Sequence, residues 1–116
     1  MNGLVALSEI ITLKQNSDFR RAYGRGKSSA NPALVTYCVK NRAGICRIGI
    51  TTSKKIGTAV FRNRCRRIIR EAYRNILPQC SGGYDIVFVA RFKTGRKKST
   101  EIEEIMRKQL AELGVL

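Results

Sequence analysis

Two hydrophobic rhythms divide the chain. Between residues 58 and 76, Phe61, Cys65, Ile68, Ile69, Ala72 and Ile76 fall on one arc of a helix drawn at roughly 100° per residue. Arg62, Asn63, Arg66, Arg67, Arg70 and Arg74 share the opposite arc, which is roughly 140° wide. Tyr73 projects between Arg62 and Arg66, and Arg64 sits beside Glu71 at the border. Thr58 is a plausible N-cap, and the helix should stop before Pro78, because proline disfavours helical geometry in the residue before it. Period-2 alternation marks strands. Residues 33–40 place Val35, Tyr37 and Val39 on one side, and residues 45–52 alternate Cys46, Ile48 and Ile50 with Arg47, Gly49 and Thr51. The turn Asn41-Arg42-Ala43-Gly44 between them predicts a hairpin. Residues 84–90, YDIVFVA, are nearly continuously apolar and predict the most buried strand.

Asn16-Ser17-Asp18 predicts the start of a short helix over residues 18–23, stopped by Gly24 and Gly26, with Phe19 and Tyr23 on one face. Extended structure is also possible over residues 25–31. Thr100 with Glu103 predicts a capping box for a last helix, whose stripe is Ile102, Ile105, Met106, Leu110 and Leu113. Ser99 is the weaker cap, since Ile102 stands where its box partner would be. Residues 1–15 carry no periodic signal and read as a poorly defined extension of one domain spanning residues 1–116.

Charge changes the picture. The chain has 23 Lys+Arg against 8 Asp+Glu, a net +15, which calls for a polyanionic partner and steep salt dependence. On the central helix the crowded arginines face a single acid, Glu71. A solvated face would mix signs and gain i,i+4 support from acids. Phosphate suits the stripe better, because guanidinium meets it in bidentate geometry. Anionic membrane is the competing partner, but such binders pair a basic face with an exposed apolar one, and here the apolar face is needed for a core. The N-terminal residues lack a basic leader and a cleavage site, so a cytoplasmic protein is expected, with no membrane partner. Cys38, Cys46, Cys65 and Cys80 form no CxxC pair and there is no histidine, so free, mostly buried thiols are expected rather than zinc.

Self-contained nuclease chemistry is poorly supplied. There is no histidine, no P-loop, and no carboxylate cluster except Glu101, Glu103 and Glu104, which crowd the first turn of the last helix and complement its dipole. Asp85 stands alone at a strand start. Phe19 and Tyr23 read as core aromatics. Their basic surroundings, Arg20, Arg21, Arg25 and Lys27, also suit a stacking platform for unpaired bases.

Ser53-Lys54-Lys55-Ile56-Gly57, Ala59-Val60, Arg62-Asn63-Arg64, Arg66-Arg67 and Arg70-Glu71 together resemble the signature of the bacterial ribonuclease P protein subunit. Asp18-Phe19, Gly26, Tyr37, Gly49 and Asp85-Ile86-Val87 fall where that family has similar residues, so the resemblance runs from about residue 13 to 90. Arg66 departs from the family's usual lysine and keeps its charge. The resemblance implies an α+β sandwich: a four-stranded sheet packed with about three helices, a left-handed βαβ crossover around the arginine helix, and the architecture of a ribosomal-protein domain. It implies that the catalyst is ribonuclease P RNA, which with Mg2+ removes the 5′ leader of precursor tRNA; no catalytic residue and no metal site is assigned to this chain. Lys54, Lys55, Arg62, Asn63, Arg66, Arg67 and Arg70 would contact the catalytic RNA. Phe19, Tyr23 and Tyr37 would line a cleft for the single-stranded leader. The protein would be monomeric within the complex, raise substrate affinity and lower the Mg2+ requirement. A structural ribosomal-type RNA-binding protein is the alternative, which the charge supports equally and the ordered motif does not.

Overall fold

In the computed structural model, which describes residues 10–77 and 82–116, the elements follow as α1 (Asn16–Arg25), β1 (Lys27–Asn31), β2 (Leu34–Lys40), β3 (Arg47–Thr51), α2 (Ala59–Ile76), β4 (Tyr84–Ala90) and α3 (Ser99–Glu112). Short 3-10 turns occupy Lys54–Ile56 and Phe92–Arg96. The strands form one mixed sheet in the order β1-β2-β4-β3. β1 and β4 run antiparallel to β2, and β3 runs parallel to β4. This is the α+β architecture implied by the resemblance.

The sheet corrects one sequence expectation. Residues 33–52 do not form a β2–β3 hairpin; the hairpin is β1–β2, and β4 lies between β2 and β3. The cause is burial. In β4, Asp85, Ile86, Val87, Phe88 and Ala90 are buried, so this strand needs cover on both faces and takes an interior position. The Asn41 turn still forms, with its side-chain oxygen accepting from the Ala43 and Gly44 N–H groups, but it only redirects the chain past β4. On the far side of β3, residues 11–13 add a short parallel bridge, with Leu13 N–H donating to the Ile48 carbonyl at 2.7 Å.

One face of the sheet carries Leu34, Thr36, Cys38, Ile48, Ile86 and Phe88, covered by α2 and α3. Thr58 caps α2 as expected, its hydroxyl accepting from Phe61 N–H at 3.2 Å. Tyr73, although it lies between Arg62 and Arg66 on the wheel, belongs to the core. It is 1% exposed and packs its ring against Phe88, 5.8 Å between centroids, because α2 is covered by β4, α3 and the Phe92–Arg96 turn and its apolar arc is correspondingly wide. α3 begins one residue before the expected cap: Glu101 accepts from the Lys98 N–H at 3.0 Å, and neither Ser99 nor Thr100 caps it. Gln109 is buried in the apolar stripe because all its polar atoms are satisfied. It accepts from Thr36 at 2.6 Å and donates to the Leu34 and Ser29 carbonyls. α1 is longer than predicted at both ends, and the Asn16-Ser17-Asp18 cluster lies inside it rather than capping it.

Cys38 and Cys65 are free thiols; Cys80, Pro78 and residues 1–9 lie outside the described residues. Burial pushes the Cys38 thiol up to about 11, so it is an inert core group. No helix among the described residues is long and apolar enough to cross a membrane.

Candidate nucleic-acid interface

The second face of the sheet is covered only in part, and α1 is what covers it. Ala22, Leu13 and Val87 form a small core there, with Phe19, Tyr37, Val39 and Val89 packed against it. The helix is pinned by a charge that the sequence reading left unpartnered. Asp85 is 0% exposed, and its carboxylate accepts from Arg47 Nε at 2.8 Å and Arg47 Nη2 at 2.9 Å. Arg21 of α1 donates to it at 2.9 Å and Asn41 at 2.8 Å. Burial alone would raise the Asp85 pKa. The hydrogen bonds from Arg47, Asn41 and Arg21 outweigh it and hold the carboxyl below its ordinary range. The same bond to Asp85 raises the pKa of Arg47. One buried anion therefore joins α1, β3, β4 and the Asn41 turn.

With α1 fixed, a cleft is left beside it. Tyr23 stands 41% exposed over the sheet, edge-on to Tyr37 with ring centroids 4.9 Å apart, and its hydroxyl lies 2.7 Å from Thr51 Oγ1. Gly49 makes room for Phe19: a Cβ there would meet the Phe19 ring at 2.4 Å. Phe19 thereby reaches a groove of about 230 Å³, whose lining also includes Thr12, Leu13, Ile48, Arg66 and Arg70. Glycine inside a strand is the one local signal the sequence offers for such a close approach.

The arginine helix borders that groove. Asn63, Arg66, Arg67, Arg70 and Arg74 are exposed, while Arg62 is half-buried with its Nε lacking a hydrogen-bond partner among the described residues. Asn63, Arg66, Arg67 and Arg70 line a common shallow depression on the outer face of α2. Lys54 and Lys55 sit apart from them on the exposed 3-10 turn leading into α2, held by Ser53, whose hydroxyl accepts from Lys55 N–H at 3.0 Å. The structure thus brings four of the seven candidate RNA-contacting residues into one depression. Through Arg66 and Arg70 it joins that depression to the Phe19 groove, with Tyr23 and Tyr37 paired on the adjoining sheet face.

Both Asp85 oxygens are occupied by cationic or amide donors, Glu103 accepts from Asn75 and Arg107, and no three His, Cys, Asp or Glu residues converge among the described residues.

Comparison with known proteins agrees with this fold. The family model described as Ribonuclease P matches residues 7–114. The ribonuclease P protein component of Clostridioides difficile is 48% identical over 96 residues, covering 82% of this chain and 84% of that one. That of Clostridium botulinum (strain Loch Maree) is 42% identical over 104 residues, covering 89% and 94%. Among solved structures, a ribonuclease P protein of Staphylococcus aureus superposes with a TM-score of 0.80 at 32% identity, covering 92% of this chain and 98% of that chain. The one from Thermotoga maritima gives 0.74 at 30% identity, covering 84% and 92%. A family model spanning nearly the whole chain, relatives above 40% identity and matching solved folds agree, and this chain is a member of the ribonuclease P protein family.

Proposed function

We propose that this chain is the non-catalytic, RNA-binding subunit of a cytoplasmic ribonuclease P that removes the 5′ leader from precursor tRNA. The reading is carried by the groove in which Arg66 and Arg70 of α2 meet Phe19 and the β3 backbone at Gly49. A phosphate-binding stripe and an aromatic cleft on one continuous surface can engage a folded RNA and an unpaired strand at once. The Arg62, Asn63, Arg66, Arg67 and Arg70 face binds ribonuclease P RNA, and Lys54 and Lys55 neutralise phosphates nearby. Phe19, Tyr23 and Tyr37 offer ring faces to the leader bases, which tolerates many sequences because every base has a π-face.

Hydrolysis belongs to the RNA, which supplies it with its own Mg2+; the protein's residues hold and orient. Fixed guanidinium charge takes over part of the phosphate neutralisation that free cations would otherwise provide, which lowers the Mg2+ requirement of the complex. One protein per RNA suffices for this arrangement.

The leader assignment is tested by binding. Tyr23→Ala, alone and with Tyr37→Ala, is expected to weaken precursor tRNA binding by the holoenzyme by about 1–2 kcal/mol, the scale of one lost base stack. Mature tRNA, which has no leader, should bind within about twofold of the unmodified complex. Equal losses for both substrates would remove the leader from this cleft.

A further inference from the structure

One corner of the sheet is left open where two helices end. Antiparallel pairing sets Lys27 opposite Cys38 and Lys40 opposite Tyr84, and residues two apart on a strand share a face. Lys27, Cys38, Lys40 and Tyr84 therefore stand together on the face that α2 and α3 cover elsewhere. α3 does not reach over them: it ends at Glu112, and Gly114, at φ 84°, turns the chain off its axis. From the other side the end of α1 comes in close. A Cβ at Gly26 would meet the Cys38 carbonyl oxygen at 2.8 Å, and this approach brings Arg25 to the same corner.

The space left is a pocket of about 320 Å³, the size of a small-molecule site. Its floor is apolar, formed by Cys38, Val39, Leu113 and Tyr84, with the Tyr84 hydroxyl 3.5 Å from the Gly114 carbonyl. Its rim is cationic. Arg25, Lys27 and Lys40 are exposed there, no acid lines the pocket, and none of the three has an ion-pair partner among the described residues. Glu112, the acid nearest in sequence to Leu113, is engaged elsewhere, accepting from the Ser29 hydroxyl at 2.8 Å. Lys27 and Lys40 are diagonal neighbours across the β1–β2 pair, with backbones roughly 7–8 Å apart. Two flexible ammonium groups at that spacing can close on two linked phosphates, and the Arg25 guanidinium can take a further pair of oxygens.

We infer that this pocket binds a free nucleoside diphosphate, with the base laid on the apolar floor beside Tyr84 and the two phosphates held by Arg25, Lys27 and Lys40. An apolar floor under a cationic rim fits a molecule with a flat, weakly polar end and a multiply charged one. A bare polyanion would leave the floor in water, and a neutral ligand would leave the cations unanswered. The pocket shares no lining residue with the Phe19 groove or with the depression on α2. Nucleotide and RNA can therefore occupy the protein together, and the inference does not depend on the proposed RNA-binding role.

The test titrates the full chain with ADP, pyrophosphate and adenosine by calorimetry, and maps bound ADP on the backbone amides by NMR. ADP is expected to shift amides centred on residues 25–27, 38–40 and 113–114, and to bind at least about tenfold more tightly than either fragment. Lys27→Gln/Lys40→Gln changes two exposed side chains and should melt at the temperature of the unmodified protein. It is expected to weaken ADP binding by about tenfold or more. Lys14→Gln/Lys108→Gln, an equal loss of charge at exposed positions away from the pocket, should stay within about twofold. ADP should remain bound when ribonuclease P RNA is added to saturation. Absence of ADP binding, or pyrophosphate binding as tightly as ADP, would overturn the inference. So would shifts centred on the α2 arginines, or equal losses in the two double variants. Displacement of ADP by the RNA would make the pocket an RNA contact and overturn it as well.

Discussion

Replacing Arg66 and Arg70 together with alanine should weaken the complex with ribonuclease P RNA by about 100-fold, on the order of 3 kcal/mol, or about half of that per arginine. Both side chains are exposed, and neither has a protein hydrogen bond or ion-pair partner among the described residues. They are also the two cations shared by the outer depression of α2 and the Phe19 groove. Removing them takes nothing from the core, so thermal stability should stay within about 0.5 kcal/mol of the unmodified protein. The salt dependence separates charge from shape: losing two phosphate contacts makes the slope of log affinity against log salt shallower by roughly 1.5–2. Filter binding across a salt series, with a thermal melt of the same preparation, measures both. Unchanged affinity would take the arginine face out of the RNA interface.

Asp85→Ala should have the second large effect, on stability rather than directly on binding. Three side chains donate to that buried carboxylate, and removing it strands them. The expected cost is about 2–4 kcal/mol, moderated because Arg21 and Arg47 are partly exposed and regain water. For a chain of this size that lowers the melting temperature by on the order of 10 °C. The effect carries a pH signature. Because the folded carboxyl titrates below its ordinary range, its stabilisation is complete above the unfolded carboxylate pKa of about 3.9 and is lost as pH falls through the folded value. The stability gap between the unmodified chain and Asp85→Asn should therefore close on acidification below about pH 4. A gap that is constant with pH would mean that packing, not charge, is what Asp85 supplies. Since Arg21 is the tie to α1, Asp85→Ala should also loosen the Tyr23–Tyr37 cleft.

What could be read from the sequence divides by range along the chain. The two faces of α2 and its Thr58 cap depend on residues within a few positions of each other, and they appear as the period requires. Tyr73 is the exception: its place on the wheel was right, but how far the core reaches round α2 depends on Phe88 and on α3, which no local pattern shows. The supposed β2–β3 hairpin failed for the same reason. Asn41 makes its turn, yet the strand that pairs with β2 on the side away from β1 comes more than forty residues later. Asp85 looked solitary because its partners lie 38, 44 and 64 residues away. The burial of Gln109 has no local signal, because its hydrogen bonds come from β1 and β2. The shared face of Asn63, Arg66, Arg67 and Arg70 was legible because the arginine motif is contiguous along one helix. Its junction with the Phe19 groove was not, since Gly49, Phe19 and Arg66 meet only through the fold.

The most direct measurement is precursor-tRNA cleavage at low Mg2+ by a bacterial ribonuclease P RNA, with and without this protein. Leader removal by the mixture, where RNA alone barely cleaves and protein alone does nothing, is the predicted result. Protein that binds both RNAs without improving cleavage, or that cleaves without RNA, would contradict its role as a non-catalytic subunit.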